Sequence, residues 1–144
     1  MINRESIYQT LFENVQNAIG FNTASRRIAP ITQVDPSAMP AFYQQQVREI
    51  ATVQGRGIPT RYDLDVDLVL YVNGGNDVVV IPSTLLNNAV DAIEALLPGV
   101  GPTYQTFGLP GVSEIRIQGE IVYSEGALAA TAICVVPVHI IIAV

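Results

Sequence analysis

Three aspartates stand two residues apart in the segment R-Y-D-L-D-V-D-L-V-L-Y-V-N, residues 61–73. Asp63, Asp65 and Asp67 share one side of a period-two pattern whose other side is Tyr62, Leu64, Val66, Leu68, Leu70 and Val72. Successive side chains of a strand point to opposite faces, so the segment reads as a strand with one apolar and one acidic face, its carboxylates roughly 6.6–7 Å apart. Such a row can hold a metal, flank a substrate, line a wet channel or pair with another subunit's arginines. Two unit charges about 7 Å apart repel by roughly 0.6 kcal/mol in water and roughly 2.4 kcal/mol at an effective dielectric near 20. A solvated row is therefore tolerated, whereas a covered one demands a cation against it.

A calcium or magnesium ion needs several oxygens converging within roughly 2.0–2.6 Å, and a strand instead holds these carboxylates apart and parallel. With no EF-hand loop and no H-E-x-x-H pair, neither metal nor cofactor is expected. A carboxylate-dependent hydrolase using Asp63, Asp65 and Asp67 is compatible with the spacing, since catalytic pairs lie about 5–9.5 Å apart. That reading also needs a cleft and, for sugars, aromatic platforms, and the chain has no tryptophan. His139, the one histidine, lies in the apolar run V-P-V-H-I-I-I without a nucleophile elbow and reads as structural. Cys134, the one cysteine, excludes an intramolecular disulfide and a cysteine zinc site, and its setting A-I-C-V-V reads as a buried inert thiol. No catalytic residue is assigned.

Arginine is the natural partner for a covered carboxylate because its planar fork donates two hydrogen bonds at once. Arg26 and Arg27, in A-S-R-R-I, are expected to serve the acidic row within or between subunits. Arg56 sits in the glycine-flanked loop Q-G-R-G-I-P, and Arg61 opens the acidic strand. Asn73, Asn76 and Asp77 belong to the turn N-G-G-N-D, which lacks the spacing and lysine of a phosphate-binding loop. Its tip is placed to reach a neighbouring subunit. Arg26, Arg27, Arg56, Arg61, Asp63, Asp65, Asp67, Asn73, Asn76 and Asp77 are therefore the candidate subunit-interface or channel-lining residues.

The bulk numbers support a surface that meets protein. The 144 residues carry a net charge of −6, only 14% of them are charged, and 49% are hydrophobic. An acidic chain without basic clusters does not grip nucleic acid through its phosphates. Few charges on an apolar chain leave surface that oligomerisation would cover. The N-terminus M-I-N-R-E-S-I-Y carries no secretory signal pattern. Residues 127–144 lack Asp, Glu, Lys and Arg over a length at the lower edge of a membrane span. Pro137, His139 and a β-branched run make them one or two strands instead, Pro137 marking a bulge, a break or an edge. No membrane partner is expected.

The elements that must position these residues follow from periodicity. Asn3 caps a helix running to about Ile19, with Ile7, Leu11, Val15 and Ile19 recurring every four residues beside Tyr8, Phe12 and Ala18. Residues 24–34 read as a strand, D-P-S-A-M-P as a turn, and Ala41–Val53 as a strand at its start whose three glutamines blur the pattern. After the acidic strand, Val78–Ile81 suggest a short return strand. Ser83 is placed to cap a second helix burying Leu85, Leu86, Ala89, Val90, Ile93, Leu96 and Leu97. Residues 113–123 alternate as a strand, and Ser124–Gly126 read as a three-residue hairpin turn into the final strand. The expected fold is α+β, two helices packed on one mainly antiparallel sheet in the order α-β-β-β-α-β-β, as a single domain over 1–144 with long loops near 35–60 and 99–112.

Several segments together resemble a known family. M-I-N-R-E-S-I-Y-x-x-L-F at the start, T-A-S-R-R-I at 23–28, Q-G-R-G-I-P-T-R-Y at 54–62, L-Y-V-N-G-G-N-D at 70–77, I-P-S-T-L-L-N at 81–87, D-A-I-E-A-L-L at 91–97 and I-Q-G-E-I at 117–121 are similar to tail terminator, or tail completion, proteins of tailed bacteriophages. The resemblance implies an α+β structural protein of the virion that forms a hexameric ring on the end of the tail tube, where the head connector docks. The implied partners are further copies of the chain, the tail tube protein and a head-tail connector or stopper protein. Genome DNA would pass through the lumen without specific binding. The implied location is the head-proximal end of the tail, after assembly in the host cytoplasm. Neck stopper and tail tube proteins are the neighbouring alternatives.

Overall fold

The protein is described from a computed structural model covering residues 2–100, 104–126 and 129–143. Helix α1 (Arg4–Ala18) begins where the Asn3 side chain accepts a hydrogen bond from the Ser6 N–H at 3.0 Å, and it buries Ile7, Tyr8, Leu11, Phe12 and Val15. Strand β1 (Thr23–Ser25) is short and parallel to β2 (Ala41–Thr52), which pairs antiparallel with the acidic strand β3 (Arg61–Asn73). Helix α2 (Pro82–Leu96) follows, then β4 (Val112–Ile117), β5 (Val122–Gly126) and β6 (Ala129–Ala143). The sheet order is β1-β2-β3-β6-β4, with β5 also pairing β6, so the last strand lies beside the acidic one in the middle. The α+β arrangement of two helices on one mainly antiparallel sheet is the expected one.

Both helices lie on one face of the sheet. There Leu64, Val66, Leu68, Leu70 and Val72 of β3 and Cys134, Val136, Val138, Ile140 and Ile142 of β6 meet Leu11, Val15, Leu86, Val90 and Ile93 in a single core. The period-two pattern of β3 is what dictates this, because a one-residue slip would turn every apolar side chain outward. The opposite face is divided. Met39, Ala41, Tyr43, Val69 and Tyr71 form a smaller core under Ala29, Ile31 and Val34, fastened where the Tyr71 hydroxyl donates to the Ala29 carbonyl at 2.9 Å. The half carrying Asp63, Asp65 and Asp67 lies outside that cover.

Local departures from the sequence reading have physical causes. Of the strand expected over 24–34 only β1 forms. The chain then makes two 3₁₀ turns, Ile31–Gln33 and Pro36–Ala38, the second held by Asp35 accepting from Ser37. The glutamine-rich stretch continues as strand to Thr52, so the loop expected near 35–60 reduces to these turns and residues 53–60. Gln44 is buried, its side-chain N–H donating to the Tyr8 carbonyl at 2.8 Å, which is why glutamine is accommodated there. Val78–Ile81 do not form a return strand. The Asp77 side chain accepts from the Val79 N–H at 3.0 Å and turns the chain toward Pro82.

Helix α2 starts with Pro82 in its first turn, and the Ser83 N–H donates to Glu125 of β5 at 3.0 Å. The cap expected from Ser83 is thus supplied by a distant carboxylate, and Leu85 stays exposed. The strand expected over 113–123 splits into β4 and β5, and Ser124–Gly126 lie within β5 instead of forming the hairpin turn. Residues 127 and 128, 101–103 of the expected 99–112 loop, and residues 1 and 144 lie outside the described residues. The other 99–112 residues turn through a bridge between Gln105 and Ile115 before β4.

Pro137 leaves β6 unbroken. Its carbonyl accepts from the Gln118 N–H at 3.1 Å, so its backbone polar groups face the β4–β5 connection, where no ladder hydrogen bond is required of it. Gly119 passes so close that a Cβ there would stand 3.1 Å from the Pro137 ring. No described helix is long and apolar enough to cross a membrane.

Truncating a buried residue on either central strand tests this core. Leu68→Ala or Ile140→Ala, both at fully buried positions, is expected to cost about 2–5 kcal/mol in urea unfolding.

Candidate functional site

The antiparallel register of β3 with β6 sets Asp65 opposite His139, Asp63 opposite Ile141 and Asp67 opposite Pro137. His139 therefore enters the acidic row from the neighbouring strand. Its Nδ1 lies 2.7 Å from Asp65 and its Nε2 2.9 Å from Asp63, with the imidazole almost covered. An ionised carboxylate only accepts hydrogen bonds, so a ring nitrogen that bonds either one does so as an N–H donor. From the same strand Arg61 grips Asp63 through Nε at 3.0 Å and Nη2 at 2.9 Å. From β2, Arg48 reaches Asp65 at 2.9 Å. On the far side β4 brings Arg116 to the rung of His139, where its guanidinium bonds Gln118 and stands 3.6 Å from Glu114.

These contacts separate the three carboxylates. The hydrogen bonds from Arg61, against some burial and with help from His139, hold Asp63 below the usual carboxylate range. At Asp65 burial is the largest influence and pushes upward, but the hydrogen bonds and charges of His139 and Arg48 outweigh it and leave the group lowered. Asp67 goes the other way, raised by burial and by the neighbouring charge of Asp65. Among the described residues it has no cationic partner.

The expected partners were Arg26 and Arg27, and the structure places neither on the row. Arg26 instead ties the β1 edge to α1, bonding Glu5 and Gln9 and lying 6.0 Å from the Tyr8 ring centroid. Arg27 is exposed, with its backbone N–H held by Ser25. Arg56 is exposed at the tip of the β2–β3 hairpin, 5 residues before the strand. Asn73 donates to Thr131 at 2.8 Å and accepts from Gly75, closing the turn in which Asn76 and Asp77 are exposed. The candidate set thus divides into a knit cluster of Arg61, Asp63 and Asp65, the half-buried Asp67, and residues on exposed turns. Arg48 and His139 belong to the cluster and were not assigned to it from sequence. Alternation puts His139 on the face of Pro137 and Ile141, but only the β3–β6 pairing brings that face to the aspartates.

Among the described residues no group of three His, Cys, Asp or Glu side chains is arranged to hold a metal ion. Cys134 is buried at the sheet's centre, and burial raises its thiol to about 11, with Tyr123 opposing. An apolar cavity of about 260 Å³ opens between the end of α1, α2 and the end of β3, lined by Ile19, Phe21, Pro40, Val72, Leu85 and Ala89 among others. No titratable group lines it. By composition it is not a place for proton chemistry.

Fold and site define a class: an α+β sheet with helices on one face and a charge-knit open half on the other. The same fold occurs in a chain of the virion of a native gene transfer agent particle. That chain aligns over 98% of this one and 95% of itself, with a TM-score of 0.51 and 8% identity. At that identity the likeness is one of fold. No family model and no curated protein matches the sequence.

Two measurements check the site. Stability contributed by Asp63, whose pKa is lowered, is present above the unfolded value of about 3.9 and lost as pH falls through the folded value. Asp63→Asn is therefore expected to cost about 1–3 kcal/mol at neutral pH and almost nothing in acid. The raised Asp67 has the opposite sign: its contribution is present below about 3.9 and lost as pH rises through the folded value, so Asp67→Asn should stabilise the isolated subunit at neutral pH. Urea titrations at several pH values read both effects. Native protein should also leave Cys134 unreactive toward an aromatic disulfide reagent, with the thiol appearing only on unfolding.

Proposed function

We propose that this chain is a structural protein of a phage-like virion, and within that class a tail terminator: a subunit of a ring that caps the tail tube and presents the docking surface for the head connector. The observation that carries the reading is the shared fold over nearly the whole chain with a component of a gene transfer agent virion. The sequence resemblance to tail terminator proteins agrees with it. So does the surface: Val78, Val79, Val80 and Ile81 form a consecutive exposed apolar run at the end of the sheet, of a kind that subunit contact covers.

The state of the carboxylates favours assembly over hydrolysis. A paired-carboxylate enzyme keeps one carboxylate as base or nucleophile while the other holds a proton to donate. Asp63 and Asp65 are both committed to His139 and to arginines of their own subunit, which leaves Asp67 without a free carboxylate to act with as a catalytic pair. In the ring, the partners are further copies of the chain, a tail tube protein and a connector or stopper, with DNA passing through the lumen. A residual acidic surface repels phosphates and lets DNA slide. The working location is the head-proximal end of the tail.

Native mass spectrometry and negative-stain microscopy of the purified protein, alone and with tail tubes, test the reading. A closed ring, six-membered for a terminator, is the expected result, without added metal. A strict monomer in both preparations would sink it, and hydrolytic activity abolished by Asp67→Asn in a monomer would replace it.

A further inference from the structure

Most of the arginines are matched within the subunit, and the remainder is informative. Arg4 pairs with Glu49, Arg26 with Glu5, Arg48 with Asp65, Arg61 with Asp63 and Arg116 with Glu114. Among the described residues, the guanidinium groups of Arg27 and Arg56 have no ionic partner, and of the carboxylates without one Asp67 alone is not exposed. Asp67 differs from the surface acids in being half-buried, beside the charge of Asp65 and across from Gln45 and Pro137. A partly covered charge in this position is costly until a cation is placed against it.

Of the two free arginines, Arg56 is the one built to reach outward. It stands between Gly55 and Gly57 on the hairpin tip, with Gly57 at φ +79°, and Val53 and Ile58 beside it are 79% and 53% exposed. Arg27 is on the segment that folds back over the smaller core, away from any projecting tip. Within one subunit Arg56 cannot serve Asp67. The strand from Arg61 to Asp67 rises roughly 20 Å, beyond an arginine side chain, and the tip lies further out still.

The surroundings of Asp67 match the tip in polarity as well as in charge. On its face of the sheet, Pro137 lies opposite, and the next rung carries Val135 with Val122 of β5 beyond it, 49% exposed. The tip is thus a cationic centre flanked by apolar side chains, and the surface around Asp67 is an anionic centre flanked by apolar side chains.

We propose that the β2–β3 hairpin tip of one copy docks on the open sheet face of the next, Arg56 pairing with Asp67 while Val53 and Ile58 cover Val122, Val135 and Pro137. The two patches differ, so the contact is heterologous and runs head to tail, the kind that generates a ring when the rotation closes. This rests on the ring reading above and names its seam. It assigns Asp67 to the subunit junction and leaves the knit cluster of Asp63 and Asp65 as the support beneath it.

Charge exchange tests the seam by native mass spectrometry and sedimentation, with circular dichroism to confirm folding of each variant. Arg56→Asp and Asp67→Arg are each expected to weaken assembly on the order of tenfold or more, and the double exchange to recover most of it. Arg27→Asp, with the same change in net charge as Arg56→Asp, should leave assembly in place. Wild-type rings that survive both single exchanges, or a double exchange without recovery, overturn the seam while leaving the ring standing. Absence of any oligomer from wild-type protein, with or without tail tubes, overturns both.

Discussion

The pairing of β3 with β6 is the constraint on which the rest depends. It runs without a break through thirteen residue pairs, from Arg61 with Ala143 to Asn73 with Thr131. On one face it presents a continuous apolar surface that only helices can cover. Helices α1 and α2 supply that cover, burying Leu11, Val15, Leu86 and Ile93 against it. On the other face the same register sets the polar residues of β3 beside those of β6. Shifting it by one residue would send the aspartates into the core and leave His139 among aliphatic side chains.

Electrostatics then follows from geometry. Three carboxylates on one strand face repel one another, and the structure relieves two by interleaving Arg48 and His139 from the adjacent strands and Arg61 from β3 itself. Histidine suits the central place because its two ring nitrogens point in different directions, one toward Asp65 and the other toward Asp63. The relief stops at Asp67, where the neighbour on β6 is proline and the neighbour on β2 is glutamine. That asymmetry distinguishes a structural ion cluster from a residue with unused bonding capacity.

The edges of the sheet carry the surface the subunit has yet to cover. Strand β1 protects only Ala41–Tyr43 of β2, so the outer half of β2 and its hairpin stand free, with Val47 and Val53 exposed. The bulge between Gln46 and Arg48 interrupts the ladder in that half, a device that discourages indiscriminate strand addition. Exposed apolar groups on a twisted, bulged edge favour a particular partner over open-ended pairing.

Sequence alone determined what local physics controls. The 3.6 period of residues 4–18 and the strict alternation of 61–73 fixed a helix and a strand with their buried faces, because a side chain's direction depends only on its own backbone. Residues 78–81 depart from the expected strand because Asp77 accepts from the Val79 N–H and Pro82 opens α2, and residues 83 and 124–126 depart from the expected cap and turn because Glu125, within β5, reaches the Ser83 N–H from across the chain. The acidic row was legible, but its partners were not. Arg48, Arg61 and His139 answer Asp63 and Asp65 only because β2 and β6 flank β3 in a particular register, and strand adjacency is a property of the packed sheet, settled by which apolar faces can be buried together.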